Sequence, residues 1–269
     1  MSLSFAKYHA GGNDFIVIDD RSLRFALEDR LLIHHLCHRR FGIGADGLIL
    51  LQPSTMGDFR FRIFNADGSE AALCGNGLGC MIAYVHDLGF EQEAFSVETL
   101  KEVLSCAIQG SRVSIQLPDS RVLHWKVSIE DLECYVVDTG VPHAVCFVSD
   151  LDEYPVETMG RYLRHHPLFA LHEGVNVNFV KVGSDGALRI RTYERGVEGE
   201  TYSCGTGAAA AAFVAYKLGF VTSIVRVTPH SGEYLELVIE ESATECKSKL
   251  ITSVHRVFEG ALERFAFSL

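Results

Sequence analysis

Cys74-Gly75-Asn76-Gly77 is followed, after ten residues, by Leu88-Gly89-Phe90, and Cys204-Gly205-Thr206-Gly207 is followed, after ten residues, by Leu218-Gly219-Phe220. The two copies stand 130 residues apart, and Glu70 with Glu200 and Val97 with Val227 match at the same offset. Upstream, Arg60-Phe61-Arg62-Ile63-Phe64-Asn65 lines up with Arg189-Ile190-Arg191-Thr192-Tyr193-Glu194 at an offset of 129. More weakly, Gly11-Gly12-Asn13-Asp14-Phe15 resembles Gly140-Val141-Pro142-His143-Ala144. An offset near half of the 269 residues describes two similar halves, not a solenoid. The expected fold is α+β: two similar domains related by a pseudo-twofold axis, each a strand-rich sheet wrapped around a central helix, with the active site in the cleft between them.

Local patterns repeat in the same order. Phe15 to Asp19, Leu48 to Gln52 and the alternating Phe59 to Phe64 read as strands, and Glu28 to Arg40 as a helix. A helix from about Asn76 to Leu88 is stopped by Gly89, and Phe95 to Leu117 is β-branched enough for two or three strands. In the second half, strands are expected near Cys134 to Asp138, Ala144 to Val148, Asn176 to Lys181, Leu188 to Tyr193, Ile224 to Thr228 and Tyr234 to Glu240. A helix of about Thr206 to Leu218 matches the first. Pro118-Asp119-Ser120 is the expected linker, dividing the chain into residues 1–118 and 119–253.

Composition narrows the function. The chain is 48% hydrophobic and 22% charged, as expected for a folded globular protein. Thirty-five acidic against 24 basic residues give a net charge of −11, a field that repels phosphate backbones and argues against nucleic-acid binding. No apolar run approaches the roughly 18 residues of a membrane helix. The N-terminus lacks the basic-then-apolar layout of a signal peptide, so a cytoplasmic protein is expected. No CxxC pair exists among the eight cysteines, and disulfide staples are not expected in a chain of this size in a reducing compartment.

Each C-G-x-G turn sets a cysteine immediately before a helix. Unsatisfied N–H groups and a partial positive charge at a helix N-terminus favour a thiolate and can hold a carboxylate. The glycines let a ligand approach the backbone. Two such turns brought to one cleft place two thiols on opposite faces of a ligand. One thiolate can then remove an α-proton while the opposite thiol delivers another, which inverts a stereocentre. Helix N-termini aimed at the carboxylate stabilise the carbanion as charge develops.

On these motifs the sequence resembles the diaminopimelate epimerase family of the cofactor-independent amino-acid racemases and epimerases. The resemblance spans nearly the whole chain: His9 to Phe15, Gly42 to Gly47, Phe64-Asn65-Ala66-Asp67-Gly68-Ser69-Glu70 running into Cys74 to Gly77, Gly140 to His143, Asn176, Glu194-Arg195-Gly196, Glu200-Thr201, Cys204 to Gly207, and Val257 to Gly260. It implies that Cys74 and Cys204 are the catalytic thiols, with His143 and Glu194 tuning them. It implies that Asn13, Asn65, Asn176, Glu194 and Arg195 bind a diaminopimelate substrate, and that Gly75-Asn76 and Gly205-Thr206 hold its α-carboxylate through backbone donors. It further implies no cofactor and no metal, a homodimer, and a final segment, residues 254–269, that returns to complete the first domain.

Three positions depart from the family pattern. Gly79 stands where the family usually has arginine, Val141 where it often has asparagine, and Gly47 where some members have glutamine. Loss of a polar contact at Val141 and of a charge at Gly79 leaves the thiol pair intact. The expectation is a looser pocket, with epimerisation of related amino acids such as glutamate as a side activity.

Other cysteines, namely Cys37, Cys80, Cys106, Cys134, Cys146 and Cys246, lack a glycine turn and read as packing. Cys80 lies six residues after Cys74, about 240° round the helix, and points elsewhere. Neighbouring residues on a helix diverge, so His34-His35 and His165-His166 make poor chelates. Three competing functions use the same residues. A cysteine–histidine hydrolase or acyltransferase would pair Cys204 or Cys74 with His143, leaving one C-G-x-G turn unexplained. A redox sensor would oxidise Cys74 to Cys204, and a binding module would hold an amino acid without exchanging its α-proton.

Overall fold

The computed structural model describes residues 2–243 and 245–262, which fall into two compact units. The first comprises residues 2–115 with 253–262, and the second residues 116–252. Residues 263–269 of the expected C-terminal segment lie outside the described residues.

Unit 1 begins with β1 (Leu3–Ala10) and β2 (Asn13–Asp19), an antiparallel hairpin. A crossover through α1 (Arg30–Cys37) then lays β3 (Gly47–Gln52) parallel to β2. Every residue of β3 is buried, the pattern of a strand covered on both faces. Next come β4 (Phe59–Asn65), the two-residue β5 (Glu70–Ala71), α2 (Gly75–Asp87), β6 (Ala94–Glu98), β7 (Val103–Gln109) and β8 (Arg112–Gln116). In β4 apolar residues alternate with Arg60 and Arg62, so one face packs and the other meets the surface.

The helix read over Glu28 to Arg40 is shorter in the structure. Asp29 caps it by accepting from the Leu32 N–H at 2.9 Å. It ends at Cys37 because His38 turns extended, and its ring Nδ1 takes the Arg40 and Phe41 N–H groups at 3.1 Å each.

Unit 2 runs β9 (Arg121–Ile129), β10 (Leu132–Asp138), β11 (Pro142–Phe147), α3 (Val156–Arg164), a 3-10 turn (Pro167–His172), β12 (Asn176–Val182), β13 (Leu188–Glu194), β14 (Gly199–Thr201), α4 (Gly205–Lys217), β15 (Ile224–Thr228), β16 (Leu235–Glu241) and β17 (Cys246–Ser253). β18 (His255–Leu262) then pairs antiparallel with β1 of unit 1. Leu117 N–H and Ser120 N–H bond to Ser248 and Cys246 carbonyls, both at 2.9 Å, so the Pro118 to Ser120 stretch is tied along β17 rather than running free.

The strand pairings of the two units are the same, one by one. β18–β1–β2 corresponds to β9–β10–β11, all antiparallel. The parallel β2–β3 and β4–β6 pairs correspond to β11–β12 and β13–β15. Parallel neighbours need a crossover. In each unit the first crossover carries a peripheral helix, α1 or α3, and the second carries the cysteine turn and the central helix. α2 touches β1, β2, β3, β4 and β7, and α4 touches β10, β11, β12, β13, β15 and β16. Both helices are therefore apolar nearly all round. Ala208 to Ala212 are fully buried, and these small side chains let the surrounding strands close in.

The repeated Leu-Gly-Phe ends both central helices. Gly89 and Gly219 take φ of +92° and +75°, which glycine adopts without strain, and their N–H groups bond back to His86 and Tyr216. Phe90 and Phe220 then pack edge-on against Phe59 and Phe147, at 5.1 and 5.3 Å between ring centres.

Candidate active site: two cysteine-capped helices

Cys74 and Cys204 occupy the same position in the two units, the residue immediately before the central helix, in extended backbone. Gly75-Asn76 and Gly205-Thr206 supply the first two residues of each helix, where main-chain N–H groups lack helical acceptors. Cys74 is partly exposed, and its sulfur accepts the Gly77 N–H at 3.4 Å. Cys204 is buried and makes no such cap bond.

Both turns hang from a matching ion pair. Arg62 on β4 grips Glu70 with two parallel hydrogen bonds of 2.7 and 2.8 Å, and Arg191 on β13 grips Glu200 with two of 2.7 Å. In both cases the glutamate sits four residues before the cysteine, so a bidentate buckle anchors the strand leading into the turn. Arg191 also donates to the carbonyls of Leu151, Asp152 and Tyr154, and His230 Nδ1 lies 3.1 Å from Glu200.

Around Cys74 the structure gathers Asn13 and Asn76. The thiol donates to Asn13 Oδ1 at 3.7 Å, Asn76 Nδ2 reaches the same oxygen at 3.4 Å, and Asn13 Nδ2 donates to Asp46 at 2.9 Å. The adjacent Asp14 takes an ion pair from Lys7 at 2.6 Å and from Arg39 at 2.6 Å. Burial alone would raise the Asp14 carboxyl, but hydrogen bonds from Arg39 and Lys7 outweigh it and hold it below the usual carboxylate range. Asn65 is farther along β4, and its side chain closes the Asn65 to Ser69 turn by donating to Ser69 Oγ at 3.0 Å.

The groups in line with the Cys204 sulfur are neutral and buried. Cys204 Sγ lies 3.6 Å from Thr206 Oγ1, which lies 3.0 Å from His143 Nε2. His143 is fully buried; desolvation, aided by the Arg195 charge, lowers its pKa to about 3, so the ring is neutral. Asn176 accepts the Arg195 N–H at 2.9 Å and donates to the Pro142 carbonyl at 3.3 Å, joining β11 to the Glu194-Arg195 turn. Glu194 accepts from the Thr201 hydroxyl, and Arg195 donates to the His172 carbonyl at 2.9 Å.

Asn178 and Thr192, which the sequence reading did not single out, belong to this cluster through His143. The signal was present: Asn178 lies two residues beyond Asn176, on the same face of a strand. The placement of His143 weighs against the cysteine–histidine hydrolase. A hydroxyl stands between the imidazole and the sulfur, and a ring that protonates only near pH 3 is a poor general base at neutral pH.

The departures from the family pattern fall at three different kinds of place. Gly79 is buried within α2 and Val141 is half-buried in the β10–β11 turn. A Cβ at Gly47 would stand 2.6 Å from the Phe64 carbonyl oxygen, so this backbone takes no side chain there without shifting. Among the remaining cysteines, Cys37, Cys80, Cys106, Cys134 and Cys146 are buried. Cys134 and Cys146 face each other across β10 and β11 with sulfurs 2.9 Å apart. Among the described residues no group of three or more His, Cys, Asp or Glu side chains is placed to hold a metal, and no helix is long and apolar enough to cross a membrane.

Comparison with known proteins follows the same outline. The family model for diaminopimelate epimerase matches residues 5–117 and 135–250. The chain is 38% identical over 280 aligned positions to the diaminopimelate epimerase of Archaeoglobus fulgidus, covering 97% of each. It is 43% identical over 247 positions to that of Methanothrix thermoacetophila, covering 86% of this chain and 87% of the other. Among solved structures, a probable proline racemase from Agrobacterium radiobacter K84 superposes with a TM-score of 0.78 at 16% identity, covering 99% of this chain and 94% of the other. A hydroxyproline epimerase from Agrobacterium vitis gives 0.76 at 17% identity, covering 97% and 91%. At such identities these two establish the shared fold.

Proposed function

Because this chain belongs to the diaminopimelate epimerase family, we propose that it interconverts LL- and meso-diaminopimelate with Cys74 and Cys204 as the two acid/base groups. The observation that carries this reading is the duplication itself: one cysteine caps the central helix of each unit, behind the same Arg–Glu buckle.

In the scheme one thiolate takes the α-proton onto its sulfur. The thiol on the other face gives its proton to the carbon and becomes the thiolate. Atoms and charge balance within the pair, and the reverse reaction exchanges the roles, so the scheme needs no cofactor. The N–H groups of Gly75-Asn76 and Gly205-Thr206 hold the α-carboxylate and stabilise the charge that develops beside it. Asn13, Asn65, Asn176, Glu194 and Arg195 bind the rest of the substrate, while His143 and Glu194 tune the thiols. The pseudo-twofold arrangement and the cleft that brings the thiols together are part of this proposal. So are the division into domains 1–118, completed by 254–269, and 119–253.

The same reading makes the protein a cytoplasmic homodimer that acts on a free amino acid, with neither nucleic acid nor membrane as partner. The exposed Val257 and Phe258 of β18 offer apolar surface for a second copy. Gly79 and Val141 loosen the pocket, which admits glutamate as a slow substrate.

Incubation of reduced protein with LL-diaminopimelate in deuterated water, with no added cofactor, tests the reading. The expected product is the meso isomer carrying deuterium at the inverted carbon. Folded protein that gives neither inversion nor exchange would refute it. A panel of enantiopure amino acids separates the breadth of the pocket from the reaction: turnover of diaminopimelate alone would remove the glutamate proposal and leave the rest.

A further inference from the structure

His143 stands next to the Cys204 turn, and which of its two ring nitrogens carries the proton is written in its partners. Asn178 Nδ2 lies 3.0 Å from the Ala144 carbonyl oxygen and 3.1 Å from His143 Nδ1. The first contact orients the amide, since only the NH2 end can face a carbonyl. Thr192 Oγ1 donates to Asn178 Oδ1 at 3.1 Å and fixes the other end. All four groups are buried. The amide is therefore locked, and it offers His143 Nδ1 a donor.

A neutral imidazole that accepts at Nδ1 carries its proton on Nε2. That nitrogen lies 3.0 Å from Thr206 Oγ1, so it donates there. The Thr206 hydroxyl oxygen is then occupied as an acceptor, and its proton can turn to Cys204 Sγ, 3.6 Å away. We infer that Asn178 is a positioning residue that fixes His143 as the Nε2–H tautomer, so that a chain of donors runs from Asn178 through His143 and Thr206 to the Cys204 sulfur. This chain stabilises the thiolate by donation and takes no proton from it.

Two further observations agree. Burial keeps the ring uncharged across the neutral range, as a one-tautomer relay requires. Gly207 leaves the room the amide occupies: a Cβ there would stand 2.3 Å from Asn178 Oδ1. The inference rests on the proposed role of Cys204.

The test is a two-bond nitrogen–proton correlation spectrum of protein labelled with nitrogen-15 in its 12 histidines, with His143 assigned from H143Q. The expected wild-type pattern is the Nε2–H tautomer, unchanged from about pH 6 to about pH 8. Asn178→Asp replaces the donor by a carboxylate and should move the proton to Nδ1. It should slow Cys204 alkylation and lower kcat about tenfold, with KM for diaminopimelate little changed. T206V should slow Cys204 alkylation similarly, and T206S should restore it.

An Nδ1–H tautomer or a charged ring in the wild type would overturn the inference, whether or not the Asn178→Asp variant folds. So would Cys204 alkylation that is indifferent to the Thr206 hydroxyl. C204A separates the two levels: if it keeps epimerase activity, the role of Cys204 fails. If it is inactive while His143 is Nδ1–H, only the relay fails.

Discussion

Around Cys74, in unit 1, the polar neighbours Asn13 and Asn76 are backed by charge: half-buried Asn13 leans on Asp46, and the adjacent Asp14 is held by Lys7 and Arg39. Around Cys204, in unit 2, they are neutral and sealed: Thr206, His143, Asn178 and Thr192 form a buried chain without a formal charge. The frame is nevertheless the same in its cysteine at the N-cap position, its glycine three residues into the turn and its Arg–Glu buckle, although only the Cys74 sulfur makes a cap bond. The comparison separates two tasks. Geometry of the thiol is set by the duplicated frame, whereas its electrostatic surroundings are set by side chains that each unit supplies in its own way.

The strongest way to break this comparison is to remove each thiol in turn. C74A and C204A should each lose epimerisation by about 10³-fold or more, since in the proposed scheme each direction uses both groups. Chiral chromatography of the products checks this, and a single variant with most of its activity left would dissolve the equivalence.

The two glycines sharpen it. A Cβ at Gly207 would stand 2.3 Å from Asn178 Oδ1 and 3.2 Å from Cys204 Sγ, whereas at Gly77 its nearest contact is the tip of Ile63 at 2.8 Å. A methyl tip yields more readily than a locked amide. G207A should therefore lower kcat about tenfold more than G77A. Steady-state rates on both variants measure the difference, and equal losses would argue that the polar cluster does not matter.

Acid should find unit 2 first. His143 is neutral in the fold, with its pKa lowered to about 3, while in the unfolded chain it titrates near 6.5. Below about pH 6.5 the unfolded state binds the extra proton, so stability falls as pH drops towards 3. H143Q should flatten this window. Asp14, whose folded pKa is depressed, contributes stability above about pH 3.9 that is lost only below it. Urea denaturation at a series of pH values, on wild type, H143Q and D14N, resolves the two windows.

The smallest expected effect is on the buckles. R191M breaks two bonds to Glu200 and three to main-chain carbonyls, whereas R62M breaks the two to Glu70. Both should destabilise by about 1–3 kcal/mol, R191M the more. Midpoints of denaturant unfolding rank them, and the opposite order would show that the extra carbonyl contacts add nothing.

Much of this fold was legible because the repeat aligned elements whose individual signals are weak. The central helices were bracketed by their C-G-x-G starts and Leu-Gly-Phe stops, and the six strands read in the second half all exist. What escaped had physical reasons. β1 reads Leu-Ser-Phe-Ala-Lys-Tyr-His-Ala, mixed in character, because Lys7 is buried through its ion pair with Asp14. β9 is largely exposed and shifts register against β10 twice, although Leu123, Val127 and Ile129 pack on the core. α3 is short, begins after Pro155 without a side-chain cap, and holds Gly160 because the Tyr193 side chain lies against it. At the site, the residues embedded in the turns were readable, as was His143. Asn178 was signalled only by its two-residue spacing from Asn176, and Thr192 by nothing local, since their part comes from facing each other across β12 and β13.

The central claim is that two different sulfurs serve the two faces of one carbon. Its most direct test is the early partition of solvent deuterium between product and recovered substrate, in each direction, at low conversion. Two thiols predict deuterium in the newly formed isomer and little in the substrate recovered, because a proton taken by one sulfur can return only to the face it left. Equal labelling of product and recovered substrate from the first turnovers would mean that one group serves both faces, and would contradict the account.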